Sequence, residues 1–203
     1  MSAATAGMVR PSRLQLLLLK WRTQACLVLG LRRRAGETLE EMLALQPDNA
    51  YALSSRAHVR AEAGERAGAI ADYRKLLAAH ANDAPGWFNL GFLLEQETQL
   101  GEAEAAFRRA IELEPKLDRA WYGLGLVLIR QHRYDDAVVA LTRNTELQPM
   151  SPHAWYQLAR VHVDRHRPDE AVKVIRHLKG FEPKVAAQLE RETGLMAGAA
   201  GEY

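Results

Sequence analysis

Large and small apolar residues recur along this chain with a step of 34 residues. Trp87, Trp121 and Trp155 keep that step, and so do Pro115, Pro149 and Pro183, with Pro47 two steps before Pro115. The two series hold a fixed phase, with Pro115, Pro149 and Pro183 each 28 residues after a tryptophan. Placing the tryptophan at position 4 divides the chain into five units, 16–49, 50–83, 84–117, 118–151 and 152–185. Position 20 is then always alanine: Ala35, Ala69, Ala103, Ala137 and Ala171. Position 8 is always small (Thr23, Ala57, Gly91, Gly125, Ala159), and position 24 is always large and apolar (Leu39, Tyr73, Phe107, Leu141, Ile175).

Within a unit these positions fit two helices rather than strands. Alanine and leucine dominate over valine, isoleucine and aromatics, which favours helix. Turn-prone pairs near positions 15–17 separate the two helices: Gly64-Glu65, Leu100-Gly101, Arg133-Tyr134 and Arg167-Pro168. Small residues at 8 and 20 let the helices approach, and bulky ones at 4, 7, 11 and 24 fill the space around that contact. Position 32 is proline in four units, with Ala81 the exception, and proline cannot continue a helix. One such hairpin cannot bury its apolar face alone, so neighbours must stack. The fold class expected is all-α.

The units resemble tetratricopeptide repeats, whose pattern is W-x2-L-G-x2-Y followed by A, F, A and P. Unit 84–117 carries Trp87, Leu90, Gly91, Ala103, Phe107, Ala110 and Pro115, with Leu94 in place of the tyrosine. Unit 16–49 is degenerate. It has Leu19 for the tryptophan and Arg22 at position 7, and unit 50–83 has Leu53 and Arg56 there. The resemblance implies a right-handed α-α superhelix, a solenoid, closed by a C-terminal capping helix over 184–193 with a polar outer face of Gln188, Glu190 and Arg191. Around this array the reading places a flexible basic N-terminus over 1–15, and a cap with a disordered tail over 186–203.

In proteins of that family, first-helix positions opposite 4, 7, 8 and 11 line a concave groove that holds extended or helical peptides. The candidate groove residues are Tyr51, Ser54, Ser55 and His58 in the second unit and Phe88, Asn89, Phe92 and Gln96 in the third. They continue with Arg119, Tyr122, Leu126 and Arg130 in the fourth and His153, Tyr156, Gln157 and Arg160 in the fifth. Tyrosine and arginine dominate interface energetics. Chaperone-binding members carry a carboxylate clamp of Lys, Asn, Asn, Lys and Arg. Here those places hold Ser54, His58, Asn89, Arg119 and Gly123, so that grip is not expected. The function implied is a non-catalytic adaptor or scaffold for another protein.

Composition changes this picture at one end. The formal net charge is only +2, yet residues 1–36 contain seven basic and no acidic residues. The rest carries 20 basic against 25 acidic side chains. A basic segment over 10–34 suggests docking to an acidic membrane, RNA or protein surface as an alternative function. The leucine-rich run Leu16–Leu19 suggests a homodimer. A further alternative is a regulatory subunit of an enzyme complex. The apolar run Leu14–Leu19 stops at Lys20, too short for a secretory signal. The expected location is therefore the cytoplasm, with an organelle transit peptide as the competing reading of the acid-free start. Arginine and alanine abundance suggests a GC-rich, bacterial genome.

Catalytic and metal signals are weak. His162 and His166 are spaced i, i+4 about Asp164, but they occupy a core-facing position 11 and a turn position 15, the latter shared by His132. No nucleophile triad, phosphate loop or CxxC pair occurs, and Cys26 is the one cysteine. Gly123-Leu124-Gly125 reads as the position 8 glycine with a neighbour. The pairs Glu40-Glu41, Asp135-Asp136 and Asp169-Glu170 read as helix starts. No catalytic residue, cofactor or metal is expected.

Overall fold

Eleven α-helices and no strand are found among residues 12–198, the part of the chain described by the computed structural model. They form two units. The first contains α1 (Arg13–Val28), α2 (Arg32–Leu45), α3 (Ala50–Glu62) and α4 (Arg66–Ala79). The second contains α5 (Ala84–Gln96), α6 (Leu100–Leu113), α7 (Asp118–Arg130), α8 (Tyr134–Leu147), α9 (Pro152–Asp164), α10 (Pro168–Lys179) and α11 (Pro183–Thr193). Each odd-numbered helix up to α9 packs antiparallel on the helix that follows it. We call the first of each pair the A helix and the second the B helix.

The turn from A to B is the same at every repeat. Position 15 adopts a left-handed backbone at Gly30 (φ 70), Gly64 (φ 82), Thr98 (φ 58), His132 (φ 59) and His166 (φ 55). Around it, the next residue's N–H reaches back five residues along the helix end, as in Gln99 to Leu94 O (2.9 Å) and Arg167 to His162 O (2.8 Å). The position 15 N–H closes the inner bond, as in Thr98 to Glu95 O (3.0 Å). This paired bonding satisfies carbonyls that the helix end leaves open, and it demands a positive φ. Leu100-Gly101, expected in the turn, instead begins α6, because Thr98 is the residue that turns. A β-branched side chain is poorly suited to φ near +60°. Thr98→Gly is expected to stabilise the protein by about 1 kcal/mol, the cost of a left-handed non-glycine residue. A raised urea midpoint at unchanged slope would show it.

The fixed phase of tryptophan and proline has a bond behind it. Trp121 Nε1 donates to Pro115 O, and Trp155 Nε1 to Pro149 O, both at 2.9 Å. Each indole thus ties the start of an A helix to the link that precedes it. Small residues do what their spacing implied. A Cβ on Gly91 would stand 3.0 Å from the Phe107 ring, and one on Gly125 would stand 2.7 Å from Leu141. Gly123 is no bystander. A Cβ there would come within 2.6 Å of Phe107, the buried position 24 residue of the repeat before it.

The degenerate position 7 also has a structural account. Arg56 bonds Asp72 through two nitrogens at 2.9 and 2.6 Å, and Arg60 adds a third bond at 2.7 Å. Arg22 reaches Thr38 at 3.0 Å and Glu41 at 2.7 Å. Asp72 and Thr38 both hold position 23 of the B helix. Later repeats place Leu90 with Ala106, and Leu124 with Ala140, at these two positions, all buried. A polar pair has replaced an apolar one, and both members changed together.

Several boundaries differ from the sequence reading. The reading of 1–15 as flexible fails at Arg13, Leu14 and Gln15, because α1 starts at Arg13 with Ser12 Oγ accepting from Gln15 N (3.1 Å). Residues 1–11 and 199–203 lie outside the described residues. The last helix starts at Pro183, where proline lacks only an N–H that the first turn does not use. The tail expected to be disordered is ordered through residue 198. Ala197 is buried, and its N–H donates to the Glu190 carboxylate at 2.7 Å. Glu190 also pairs with Lys179 at 2.7 Å, so it faces inward rather than out. Glu40-Glu41 lies well inside α2 instead of at a helix start, because α2 opens at Arg32. Glu41 there is the partner of Arg22.

Candidate functional site

The candidate groove residues sit on A helices, and each unit is described by itself. In the first unit Tyr51 is half-buried, with the Lys20 ammonium 4.9 Å above its ring centre. Burial raises its phenol pKa, and a hydrogen bond with Ser55 opposes that shift. Ser54 Oγ bonds back to Tyr51 O at 3.2 Å, inside its own helix. His58 is exposed, with Nε2 3.4 Å from a Glu62 carboxylate oxygen. These three residues have partners within the unit but share no common cluster.

The second unit brings more of its candidates together. Phe88 lies against Phe107 with ring centroids 6.0 Å apart, and the Arg119 guanidinium caps its outer face at 4.8 Å. This stack joins α5 to α7. Phe92, one turn further, is 48% exposed. Tyr122 is half-buried and bonds the Gln157 side chain, which joins α7 to α9. Burial raises its phenol pKa, and the Gln157 bond partly offsets this. Tyr156 donates from its hydroxyl to Glu192 of α11 at 2.5 Å, while Arg160 Nη1 donates to the same Tyr156 oxygen at 3.3 Å. Gln188 adds a second bond to Glu192 at 2.7 Å. These bonds, the one from Tyr156 first, hold the Glu192 carboxyl below its ordinary pKa.

Some candidates stand apart. The Arg130 guanidinium is held by the Glu95 carboxylate and by Glu95 O at 2.9 Å, so it works as a brace between α7 and α5. His153 is exposed, and Asn89 and Leu126 are half-buried. Glu192 was missed in the sequence because its helix reads there only as a polar cap. The single hint was its i, i+4 spacing from Gln188.

His162 is buried, as position 11 requires, and its Nδ1 has no hydrogen-bond partner. Burial first, and the nearby Arg165 guanidinium second, lower its pKa, so the fold holds the neutral ring. Among the described residues no group of three or more His, Cys, Asp or Glu is arranged to hold a metal ion. A surface cavity of about 510 Å³ lies at the turns after α7 and α9, lined by residues that include His132, Arg133 and Arg165. Within it Arg133 binds Glu104 and Asp136, and Arg165 binds Asp135.

Comparison with known proteins matches this geometry. The family model for subunit 3 of the anaphase-promoting complex, or cyclosome, matches residues 96–178. A tetratricopeptide repeat protein from Parabacteroides merdae superposes with a TM-score of 0.78 at 19% identity, over 89% of this chain and 74% of that one. The chain has the tetratricopeptide-repeat fold. MamA from Desulfovibrio magneticus gives a TM-score of 0.75 at 20% identity, covering 91% of this chain and 98% of that one. YrrB, described as a TPR protein with an unusual peptide-binding site, gives 0.75 at 19% identity, covering 83% and 88%. No curated protein matches the sequence.

Proposed function

We propose that this protein is a non-catalytic adaptor that holds an extended or helical segment of a partner protein on the A-helix side of α5, α7 and α9. The observation that carries this reading is the run of prearranged aromatic and arginine groups there. Phe88 with Arg119, the exposed Phe92, Tyr122 with Gln157, and Tyr156 with Arg160 lie on three successive A helices, and Glu192 of α11 holds the last tyrosine. Arginine held against an aromatic ring loses little freedom when it binds, which favours recognition. The peptide-binding site named for YrrB makes a peptide the first ligand class to test.

Affinity capture with cross-linking should recover a partner whose links fall on α5, α7 and α9. Recovery should fall about tenfold or more in a Phe92→Ala/Arg119→Ala/Tyr156→Ala variant, in line with the cost of removing interface anchors. Phe92 and Arg119 are exposed, so helicity should be retained, and circular dichroism checks it. Unchanged recovery by a folded variant would sink the proposal.

A further inference from the structure

The first helix is apolar on two opposite sides. Leu19 and Thr23 are buried where α1 packs on α2. On the other side Leu14, Leu17, Leu18, Trp21 and Val28 are 65, 49, 61, 64 and 86% exposed. At 100° per residue these five fall in one stripe about 100° wide, the width of a face meant for burial. The expected pairing surface Leu16–Leu19 is therefore corrected, since Leu19 faces inward and Leu16 is half-buried. Leu29 and Leu31, also exposed, carry the stripe into the turn.

In later repeats this side of the A helix is where the preceding B helix stacks. The counterparts of Leu18 and Trp21 in α7 are Ala120, fully buried, and Gly123, pressed against Phe107 of α6. Ala154 is buried in the same way in α9. Leucine and tryptophan at these places would keep a helix from approaching α1 as closely as α6 approaches α7. The other end of the chain behaves differently. There α11 exposes Lys184, Gln188 and Arg191, the polar finish that a terminal repeat needs in water.

Charge decides what covers the stripe. Residues 12–36 hold six basic side chains and no carboxylate. Arg22, Arg32 and Arg33 are paired with Glu41, Glu62 and Glu37, but pairing two copies along α1 would still set Arg13 and Lys20 of one helix against those of the other. A single helix of this length, about 24 Å, also buries less than the roughly 1,200–2,000 Å² of a stable interface. A leucine ridge with a tryptophan in it and bases alongside suits the headgroup region of an anionic bilayer instead. No helix among the described residues is long and apolar enough to cross a membrane.

We infer that α1 is a membrane-docking helix. It lies in the plane of an anionic lipid surface, with Leu14, Leu17, Leu18, Trp21 and Val28 at the acyl boundary and the exposed Arg13 and Lys20 beside them at the level of the phosphates. The test is sedimentation of the full chain with phosphatidylcholine vesicles, with and without phosphatidylglycerol, at low and high salt. Binding should require phosphatidylglycerol, weaken with salt, and fall about tenfold or more in Leu17→Gln/Trp21→Gln, which removes two large apolar contacts. Lipid brominated in the acyl chain should quench Trp21 fluorescence. Trp21→Phe should still bind and lose that quenching. No binding to phosphatidylglycerol vesicles, or full binding by the double glutamine variant, would overturn the inference. So would a wild-type dimer in equilibrium sedimentation that the same variant abolishes, since the stripe would then belong to a second copy.

Discussion

Asp72→Ala is expected to cost about 3 kcal/mol or more, the usual penalty for breaking a buried charge pair. The carboxylate is 5% exposed and accepts from two guanidinium groups, of which Arg56 is only 18% exposed. Removing it leaves Arg56 buried with neither bond. Arg60 loses less, being more exposed and within 4.0 Å of Glu65. The informative comparison is the double variant Arg56→Leu/Asp72→Ala. It installs the leucine and alanine that positions 7 and 23 hold in the next repeat, and replacing a buried pair by packed apolar groups is often neutral or stabilising. Urea denaturation followed by circular dichroism, with hydrogen exchange to report α3 and α4, should show the single variant well below both wild type and the double. A double variant no better than Asp72→Ala would mean that the pair holds these helices in a way apolar packing cannot replace.

The second large effect centres on Phe107. Its ring is buried, with Gly91 on one side and Gly123 of the next repeat on the other. Phe107→Ala should cost about 3–5 kcal/mol through lost burial and the cavity left behind. Gly123→Ala should cost about 1–3 kcal/mol by overpacking, even though alanine favours helix over glycine by about 1 kcal/mol. Gly101→Ala, where nothing lies within 4 Å, is the control and should not destabilise. The same glycine change in a Phe107→Leu background should cost measurably less, because the smaller side chain frees the space. Additive costs in that double-mutant cycle would show that the two residues do not compete for one volume.

The all-helical fold was legible because its signals are local and repeated. A small residue at 8, alanine at 20 and a large residue at 24 recur five times, which no single-copy fold would reproduce. The turn was harder to read. Glycine at Gly30 and Gly64 points to a left-handed residue, but threonine and histidine do the same work at Thr98, His132 and His166 without announcing it. The candidate site was legible as a set of positions and not as a set of contacts. Phe88 and Arg119 could each be named from their place in the repeat, yet their stacking depends on how closely α7 follows α5. Arg130 looked equally available and is held by Glu95 instead.

By itself the amino-acid sequence determined the fold class, the repeat length and which helix face is buried. These follow from periodicity, and a period survives whatever the neighbours do. Only the tertiary structure decided the partners of long polar side chains and the neighbours of small residues. Asp72 meets Arg56 sixteen residues away, Tyr156 meets Glu192 thirty-six away, and Gly123 meets the Phe107 ring of the repeat before it. Such meetings turn on ångström-level spacing between helices, which a one-dimensional pattern does not carry. The apolar side of α1 is the clearest case. The chain shows that Leu14–Leu19 is apolar, but which leucines α2 covers and which stay exposed is settled only when the helix is packed.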